Sequence, residues 1–258
     1  MTARVFITGS ADGLGMMAAR LLVDQGHRVV LHARNAKRVQ DALAAVPGAE
    51  AAVRGDLGSI TETRSVAEQV NRLGRFDAVI HNAAVGDREK KRVATADGLP
   101  QVFAINTLAP YILTALIERP KRLVYLSSGM HLDADTTLED LEWTRRKWDG
   151  SEAYSETKFH DVLLAFAAAR RWPDVASNAV DPGWVATKMG GPHASDDLEE
   201  GYRTQAWLAV GGDPSGAVSG EYFYHRKRVP PNPAARIAAK QDRLLSECGK
   251  ISGVPWPS

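Results

Sequence analysis

The stretch "RVFITGSADGLGMMAARLLVDQG", residues 4–26, decides the fold. It begins with the short apolar run Val5 to Thr8, passes through three glycines, and ends in a segment with apolar residues at helical spacing. A short buried strand leading through a glycine turn into a helix is the first half of a βαβ unit. Gly9, Gly13 and Gly15 stand in the spacing G-x-x-x-G-x-G. Lacking Cβ, glycine permits a tight turn and close approach of another group to the backbone. A dinucleotide pyrophosphate needs both, together with a helix N-terminus aimed at it. Alone, such a triplet reads as readily as a structural turn. Its place after the first strand and before a helix favours the phosphate loop.

The same rhythm continues outward from this unit. "RVVLHA" (28–33) leads to "AKRVQDALAAV" (36–46), and "EAAVRG" (50–55) to "ITETRSVAEQVNRL" (60–73). "FDAVIHNA" (76–83) is followed by a charged loop and then "VFAINTLAPYILTALIE" (102–118). "RLVYLSS" (122–128), "VASNAV" (175–180) and "GEYFY" (220–224) complete the strand-like runs. Continuous apolar runs, rather than alternation, mark strands covered on both faces. The pattern predicts an α/β fold in one domain spanning residues 1–258. It is a doubly wound, mainly parallel sheet of about seven strands with helices on both faces. A polar segment at 129–153, containing Trp143 and Trp148, interrupts the rhythm. The Pro-rich stretch 228–237 is expected to wrap the surface before a last helix near 238–248.

Composition narrows the function classes. Lys and Arg number 32 against 31 Asp and Glu. This balance argues against nucleic acid or an anionic membrane as main partner, since either calls for a basic patch. The single cysteine, Cys248, cannot form an internal disulfide, which fits a reducing compartment. "VFIT" is too short for a secretory segment, and no run approaches a membrane span. A soluble, cytoplasmic protein is expected, with no metal.

"AYSETKFHD" (153–161) sets Tyr154 four positions before Lys158. On a helix the phenol and the ammonium share a face. Alone, this pair is more often surface decoration than chemistry.

Taken in order, "TGSADGLG" (8–15), "GDL" (55–57), "HNAA" (81–84), Asn106, "SS" (127–128), "YSETK" (154–158) and "DPGWVAT" (181–187) resemble the short-chain dehydrogenase/reductase family. The resemblance covers nearly the whole chain and is to the single-domain branch. The long interval from Ser128 to Tyr154 and the tail "SGEYFY" look most like retinol-dehydrogenase-like and carbonyl-reductase-like members. The resemblance implies a nicotinamide cofactor and a catalytic set of Asn106, Ser128, Tyr154 and Lys158. A hydride passes between nicotinamide and a carbonyl carbon, and the oxygen exchanges a proton with Tyr154. A free phenol is poorly matched to neutral pH. A lysine charge about 4 Å away, at an effective dielectric of about 20, is worth roughly 4 kcal/mol towards the phenolate. In the family this lysine also bonds the nicotinamide ribose. Ser128 holds the substrate oxygen, and Asn106 kinks its helix and holds a proton-relay water.

The same resemblance assigns Thr8, Gly9, Ser10, Gly13, Leu14, Gly15, Asp56, Leu57, Asn82, Ala83 and Ala84 to the cofactor, together with Tyr154 and Lys158. Pro182, Gly183, Val185 and Thr187 fall under the nicotinamide. Two positions depart from the family's usual "NNAG": His81 replaces an asparagine and Ala84 a glycine. At the end of the second strand, where an acidic residue would hold the ribose of NAD(H), stand Ala33 and Arg34. An arginine pairs with a 2′-phosphate. Lys37 and Arg38 add positive charge and Asp12 opposes it, so NADP(H) is expected to be preferred with NAD(H) as the alternative.

Residues 188–210 correspond to a substrate lid. Trp184, Met189 and Tyr202, with Trp207, are candidate pocket walls, facing Met130 and His131. An apolar, aromatic lining suits a small hydrophobic carbonyl or alcohol. Many relatives pair the catalytic-tyrosine helix with a symmetry mate, but the 129–153 insertion can shield it. Monomer and homo-oligomer both stay open. Two competing readings are a cofactor-sensing binding protein and a dehydratase or epimerase on this fold.

Overall fold

The computed structural model describes residues 2–87, 89–211 and 218–257. β1 (Arg4–Ile7), β2 (Arg28–Ala33), β3 (Ala51–Arg54), β4 (Ala78–His81), β5 (Arg122–Leu126), β6 (Ala176–Asp181), β7 (Tyr222–Tyr224) and β8 (Lys227–Arg228) form one sheet. Their order is β3-β2-β1-β4-β5-β6-β7-β8. Every pairing is parallel except that of β7 with β8. The eighth strand exceeds the expected count because it carries no apolar signal. Lys227 and Arg228 are exposed and return after a turn at His225 and Arg226, both with positive φ.

Alternate residues of β1 explain the two-sided core. Val5 and Ile7 join α1 (Gly13–Asp24), α2 (Ala36–Ala45) and α7 (Leu198–Val210) through Ala18, Leu22, Ala42 and Leu208. Phe6 faces the other way, onto α3 (Ile60–Arg72), α5 (Ala109–Leu116) and α6 (Gly150–Arg171) through Val66, Tyr111 and Phe159. The chain builds outward from β1 to β3 and then returns to lay β4 on the other side of β1. Open α/β sheets bind ligands at such a reversal, beyond the carboxyl ends of the strands.

The segment expected as one helix over 102–118 is interrupted. Gln101–Phe103 (α4) is α-helical, Ala104–Leu108 is a π-turn, and α5 resumes at Ala109. Pro110 has no N–H to donate to the Asn106 carbonyl, so the regular ladder cannot pass that point. Asn106 thus lies in a wide turn, a feature often found at functional sites.

α6 begins at Gly150, inside the stretch expected to be insertion, capped by Asp149, which accepts from the amides of Ser151 and Glu152. From Ser155 to Ala168 it is buried without a break. The 3-10 turn Gly129–Asp133, β5, β6 and α8 (Ala238–Ser252) all pack on it. The insertion reaches the same helix through Arg146, which bonds Glu156 at 2.6 Å and stacks on Trp143. α8 runs one turn further than expected, to a left-handed cap at Gly253. Among the described residues no helix is long and apolar enough to cross a membrane.

Candidate active site

A cleft of about 720 Å³ opens at the carboxyl ends of the central strands. Its floor is the turn from β1 into α1. Gly9 has φ of +62°, and a Cβ there would stand 2.8 Å from Ala83 Cα. A Cβ on Gly15 would stand 2.4 Å from Asn82 Nδ2, so helix and strand meet only because the glycine is bare. α2, α3 and α6 have side-chain caps from Asn35, Ser59 and Asp149. α1, which points into the cleft, has none. Its first amides remain available to an anion, as a pyrophosphate site requires.

Thr8 and Ser10, both expected as cofactor contacts, lie behind this floor. Thr8 Oγ1 accepts from the amides of Asn82 and Ala83 at 2.9 and 3.0 Å. Ser10 Oγ donates to the Ile7 carbonyl and accepts from the His32 amide, both at 2.9 Å. His32 was not singled out in the sequence. Its Nδ1 accepts from the Gly9 amide at 3.0 Å and its Nε2 faces the Gly55 carbonyl at 2.9 Å. One imidazole therefore ties the glycine turn to the ends of β2 and β3. Burial pushes its pKa down to about 4, which keeps it neutral for this double role. A histidine at a strand end has no sequence signature that separates it from a core residue.

On the opposite wall stand Tyr154 and Lys158, on the face of α6 that meets the cleft. Lys158 Nζ lies 5.6 Å from the centre of the Tyr154 ring. The Ser128 hydroxyl, just past β5, lies near enough to the Tyr154 phenol to draw its pKa down, and accepts from the Met130 amide at 3.3 Å. Ser127 points inward instead, donating to the Lys158 carbonyl at 2.8 Å. The adjacent serines thus divide: one fixes the helix, the other faces the phenol. Asn106 accepts from the Val85 amide at 2.8 Å and donates to the Val85 carbonyl at 3.0 Å and Thr157 Oγ1 at 3.1 Å. It locks the loop after β4 against α6 directly behind Tyr154.

The electrostatics differ from the sequence expectation in one respect. Lys158 was expected to draw the phenol towards phenolate. Burial pushes the Tyr154 pKa up more strongly than Lys158 and Ser128 draw it down. Asp161 works against the lysine: its Oδ2 is 2.9 Å from Nζ, and both side chains are 3% exposed. Burial alone would lower the Lys158 pKa, but Asp161 and the neighbouring phenol and carboxylates raise it, so the ammonium keeps its charge.

At the far end of the cleft Ala33 and Arg34 line the rim, with Asp56 and Leu57 beside them. Arg38 Nη2 lies 2.7 Å from Asp12 Oδ2, and Lys188 Nζ lies 3.0 Å from the same oxygen. Burial would raise the Asp12 pKa; these two cations hold it below the usual carboxylate range. Asn82, Ala83 and Ala84, with Gly13 and Leu14, complete the wall. Pro182, Thr187 and Met189 close it from the other side. Gly183 and Val185 support that side from behind: the Gly183 amide bonds Asp181 Oδ1 at 2.8 Å, and Val185 is buried.

The expected pocket walls separate. Met189 is exposed, lines the cleft and packs close to Gly86, where a Cβ would stand 3.1 Å from its Cγ. Trp184 is 53% exposed, its indole N–H bonded to the Gly190 carbonyl. Tyr202 packs against the core with Met16 and Leu21, and Trp207 packs edge-on against Phe223. Met130 is half-buried beside Ser128. His131 is fully buried and links the Ser128 carbonyl to the Asn232 amide.

Comparison with known proteins agrees with this arrangement. A family model described as short chain dehydrogenase matches residues 3–122. An uncharacterised oxidoreductase of Emericella nidulans is 47% identical over 98% of each chain. The short-chain dehydrogenase chyC of Penicillium rubens is 41% identical over 99% of this chain and 100% of its own. Human retinol dehydrogenase 13 is 28% identical over 98% of this chain and 86% of its own. Among solved structures, an uncharacterised Mycobacterium paratuberculosis protein superposes with a TM-score of 0.86 at 24% identity, covering 99% of this chain and 95% of its own. A blue fluorescent protein from a metagenomic library, in complex with NADPH, does so with a TM-score of 0.67 at 21% identity, covering 86% and 95%. The chain belongs to the short-chain dehydrogenase/reductase family of oxidoreductases, which includes retinol-dehydrogenase-like members.

Proposed function

We propose that the protein is an NADP(H)-dependent oxidoreductase that interconverts a small hydrophobic carbonyl compound and its alcohol, with Tyr154 as the acid and base. One observation carries the reading. The Tyr154 phenol and the Lys158 ammonium stand on one wall of a cleft, with Ser128 beside the phenol, and the opposite floor is an uncapped helix N-terminus behind a glycine turn. That floor suits a pyrophosphate, and Tyr154 and Lys158 line the same cleft, so a dinucleotide held there would have its nicotinamide end on their side. The bound cofactor supplies or accepts the hydride.

The chain's own groups handle the oxygen and its proton. In reduction the carbonyl oxygen lies between the Ser128 and Tyr154 hydroxyls. As hydride reaches the carbon, the carbonyl π pair moves to oxygen, which takes the phenol proton. The phenolate left behind is stabilised by Lys158 and regains a proton from solvent. A phenol that holds its proton tightly is already in the form that reduction needs. Asn106 keeps the loop after β4 and α6 in register, so the three groups remain convergent.

Arg34 just past β2 and Arg38 on the first turn of α2, with no acidic residue at the strand end itself, support NADP(H) over NAD(H). The similar protein solved with NADPH is in keeping with this choice. Val85, Ile105 and Met189 give the substrate end apolar walls. A soluble cytoplasmic enzyme fits these features. Cofactor oxidation is followed spectrophotometrically with NADPH and a panel of hydrophobic ketones and aldehydes. Turnover with NADPH well above that with NADH is expected. No turnover with any carbonyl, despite tight NADPH binding, would favour a cofactor-sensing role instead.

A further inference from the structure

Asp161 contacts Lys158 but has no part in the catalytic set above. It sits three positions further along α6, with Oδ2 2.9 Å from Nζ and its side chain 3% exposed. Nζ also donates to the Leu126 carbonyl, at 2.7 Å. An ammonium has three N–H donors. Two are thus committed to fixed acceptors on α6 and β5, and one remains for the cleft. This double anchor places the nitrogen 5.6 Å from the Tyr154 ring centre.

The anchor also carries charge. Burial pushes the Asp161 pKa up to about 7 while Lys158 draws it down, so the carboxylate is charged through the alkaline range in which a phenol ionises, and, weakly screened, it acts on the phenol as well as on the ammonium. Other groups face the same space. From α6 comes Lys158, the cation that acts most strongly on the phenol; Ser128 follows β5. Asp87 lies in the loop after β4, Asp181 ends β6, Tyr125 comes from β5 and Tyr222 from β7. Burial holds Tyr125 and Tyr222 above the usual phenol range, so both stay neutral. His81, stacked on Tyr125 at 4.6 Å, is neutral too. Beyond burial, the charge balance at the phenol therefore turns chiefly on the Lys158–Asp161 pair.

We propose that Asp161 is a positioning residue that anchors Lys158 between α6 and β5 and offsets part of its charge, so that Tyr154 keeps its proton through the neutral range as the acid of carbonyl reduction. The proposal rests on the reading of Tyr154 as the proton donor. It places the rise of alcohol oxidation, which needs the phenolate, at alkaline pH, and the fall of carbonyl reduction at the same pH.

The test compares Asp161→Asn, which keeps the shape and removes the charge, with Asp161→Glu, which keeps the charge and changes the shape. Each is titrated by ultraviolet difference spectroscopy against the same variant carrying Tyr154→Phe, which isolates the phenolate signal of Tyr154. The pH profile of kcat/KM for alcohol oxidation is measured on the NADP-loaded enzyme. In Asp161→Asn the phenolate-to-phenol ratio at a fixed pH should rise about tenfold, and the oxidation limb should move by a matching amount to lower pH. Asp161→Glu should keep the wild-type profile. An unchanged or oppositely shifted profile in Asp161→Asn, or a shift that follows shape rather than charge, overturns the proposal.

If Asp161→Asn does not fold, Asp161→Ser, smaller and uncharged, takes its place: the same rise in phenolate and the same shift of the oxidation limb to lower pH are expected, and an unchanged or opposite profile overturns the proposal. A Tyr154→Phe enzyme with wild-type turnover would instead remove the underlying reading of Tyr154.

Discussion

Lys188 reaches across the mouth of the cleft to Asp12, with Nζ 3.0 Å from Oδ2. The same oxygen holds Arg38 at 2.7 Å. One carboxylate at the glycine turn thus occupies two cations that border the rim where a 2′-phosphate would lie. The Asp12→Asn variant releases Lys188, leaves Arg38 its 3.7 Å pair with Asp41, and removes a negative charge from the rim. NADPH affinity should rise about fivefold, the scale of one partly exposed ion pair, and should depend more steeply on salt. Fluorescence titration of the cofactor measures it. Weaker NADPH binding would show that Asp12 organises the loop rather than competing for its cations.

Arg34 stands at the rim beyond β2. Replacing it with aspartate exchanges a phosphate-pairing group for one that accepts from ribose hydroxyls. The ratio of kcat/KM for NADPH over NADH should fall by about tenfold or more. Equal efficiencies with the two cofactors in the wild type would contradict the assignment of Arg34.

Asn106 satisfies both backbone groups of Val85 from a buried position. The Asn106→Ala variant leaves that amide and carbonyl without partners, at a cost of about 1–3 kcal/mol in stability. Turnover should fall further than the loss of folded protein explains, because the Tyr154 wall loses its tie to the loop after β4. Urea unfolding and kcat on the same preparation separate the two effects. A wild-type kcat in a destabilised variant would restrict Asn106 to a structural role.

His81 is fully buried, bonds Thr114 through Nε2 at 3.0 Å, and has its pKa lowered to about 3 by burial. A base held neutral in the fold stabilises fully above its unfolded pKa of about 6.5, and that contribution is lost as pH falls below it. Wild type and His81→Asn should therefore converge in stability by about 2 kcal/mol between pH 7.5 and pH 5, at 1.36 kcal/mol per pH unit. Taking the difference cancels the opposing contributions of Asp161 and Glu156, whose pKa values burial raises. A constant gap between the two proteins would mean that His81 is protonated or exposed in the fold.

Much of this arrangement was legible in the residues. Runs such as Val5–Ile7 announced strands buried on both faces, and the spacing of Gly9, Gly13 and Gly15 placed the turn from β1 into α1. Tyr154 and Lys158 could be placed together because one helical turn fixes their shared face. What escaped depends on contacts distant in sequence. His32 joins three strand ends through hydrogen bonds to Gly9 and Gly55, which no local pattern encodes. Asp161 reads as an ordinary polar helix position until folding encloses it with Lys158. The π-turn at Asn106 follows from Pro110, whose missing N–H was visible but whose consequence depends on the surrounding helix continuing. Tyr202 and Trp207 resembled pocket residues because aromatic side chains line both pockets and cores. Only the packing of α7 on α1 and β7 separates the two.

The most direct measurement is turnover of NADPH with a carbonyl substrate in the Tyr154→Phe variant, alongside its NADPH dissociation constant. Loss of turnover by several orders of magnitude, with the dissociation constant within about twofold of wild type, is expected from removal of a proton donor that leaves the cleft intact. Turnover near the wild-type rate would contradict the role of Tyr154 and with it the proposed chemistry.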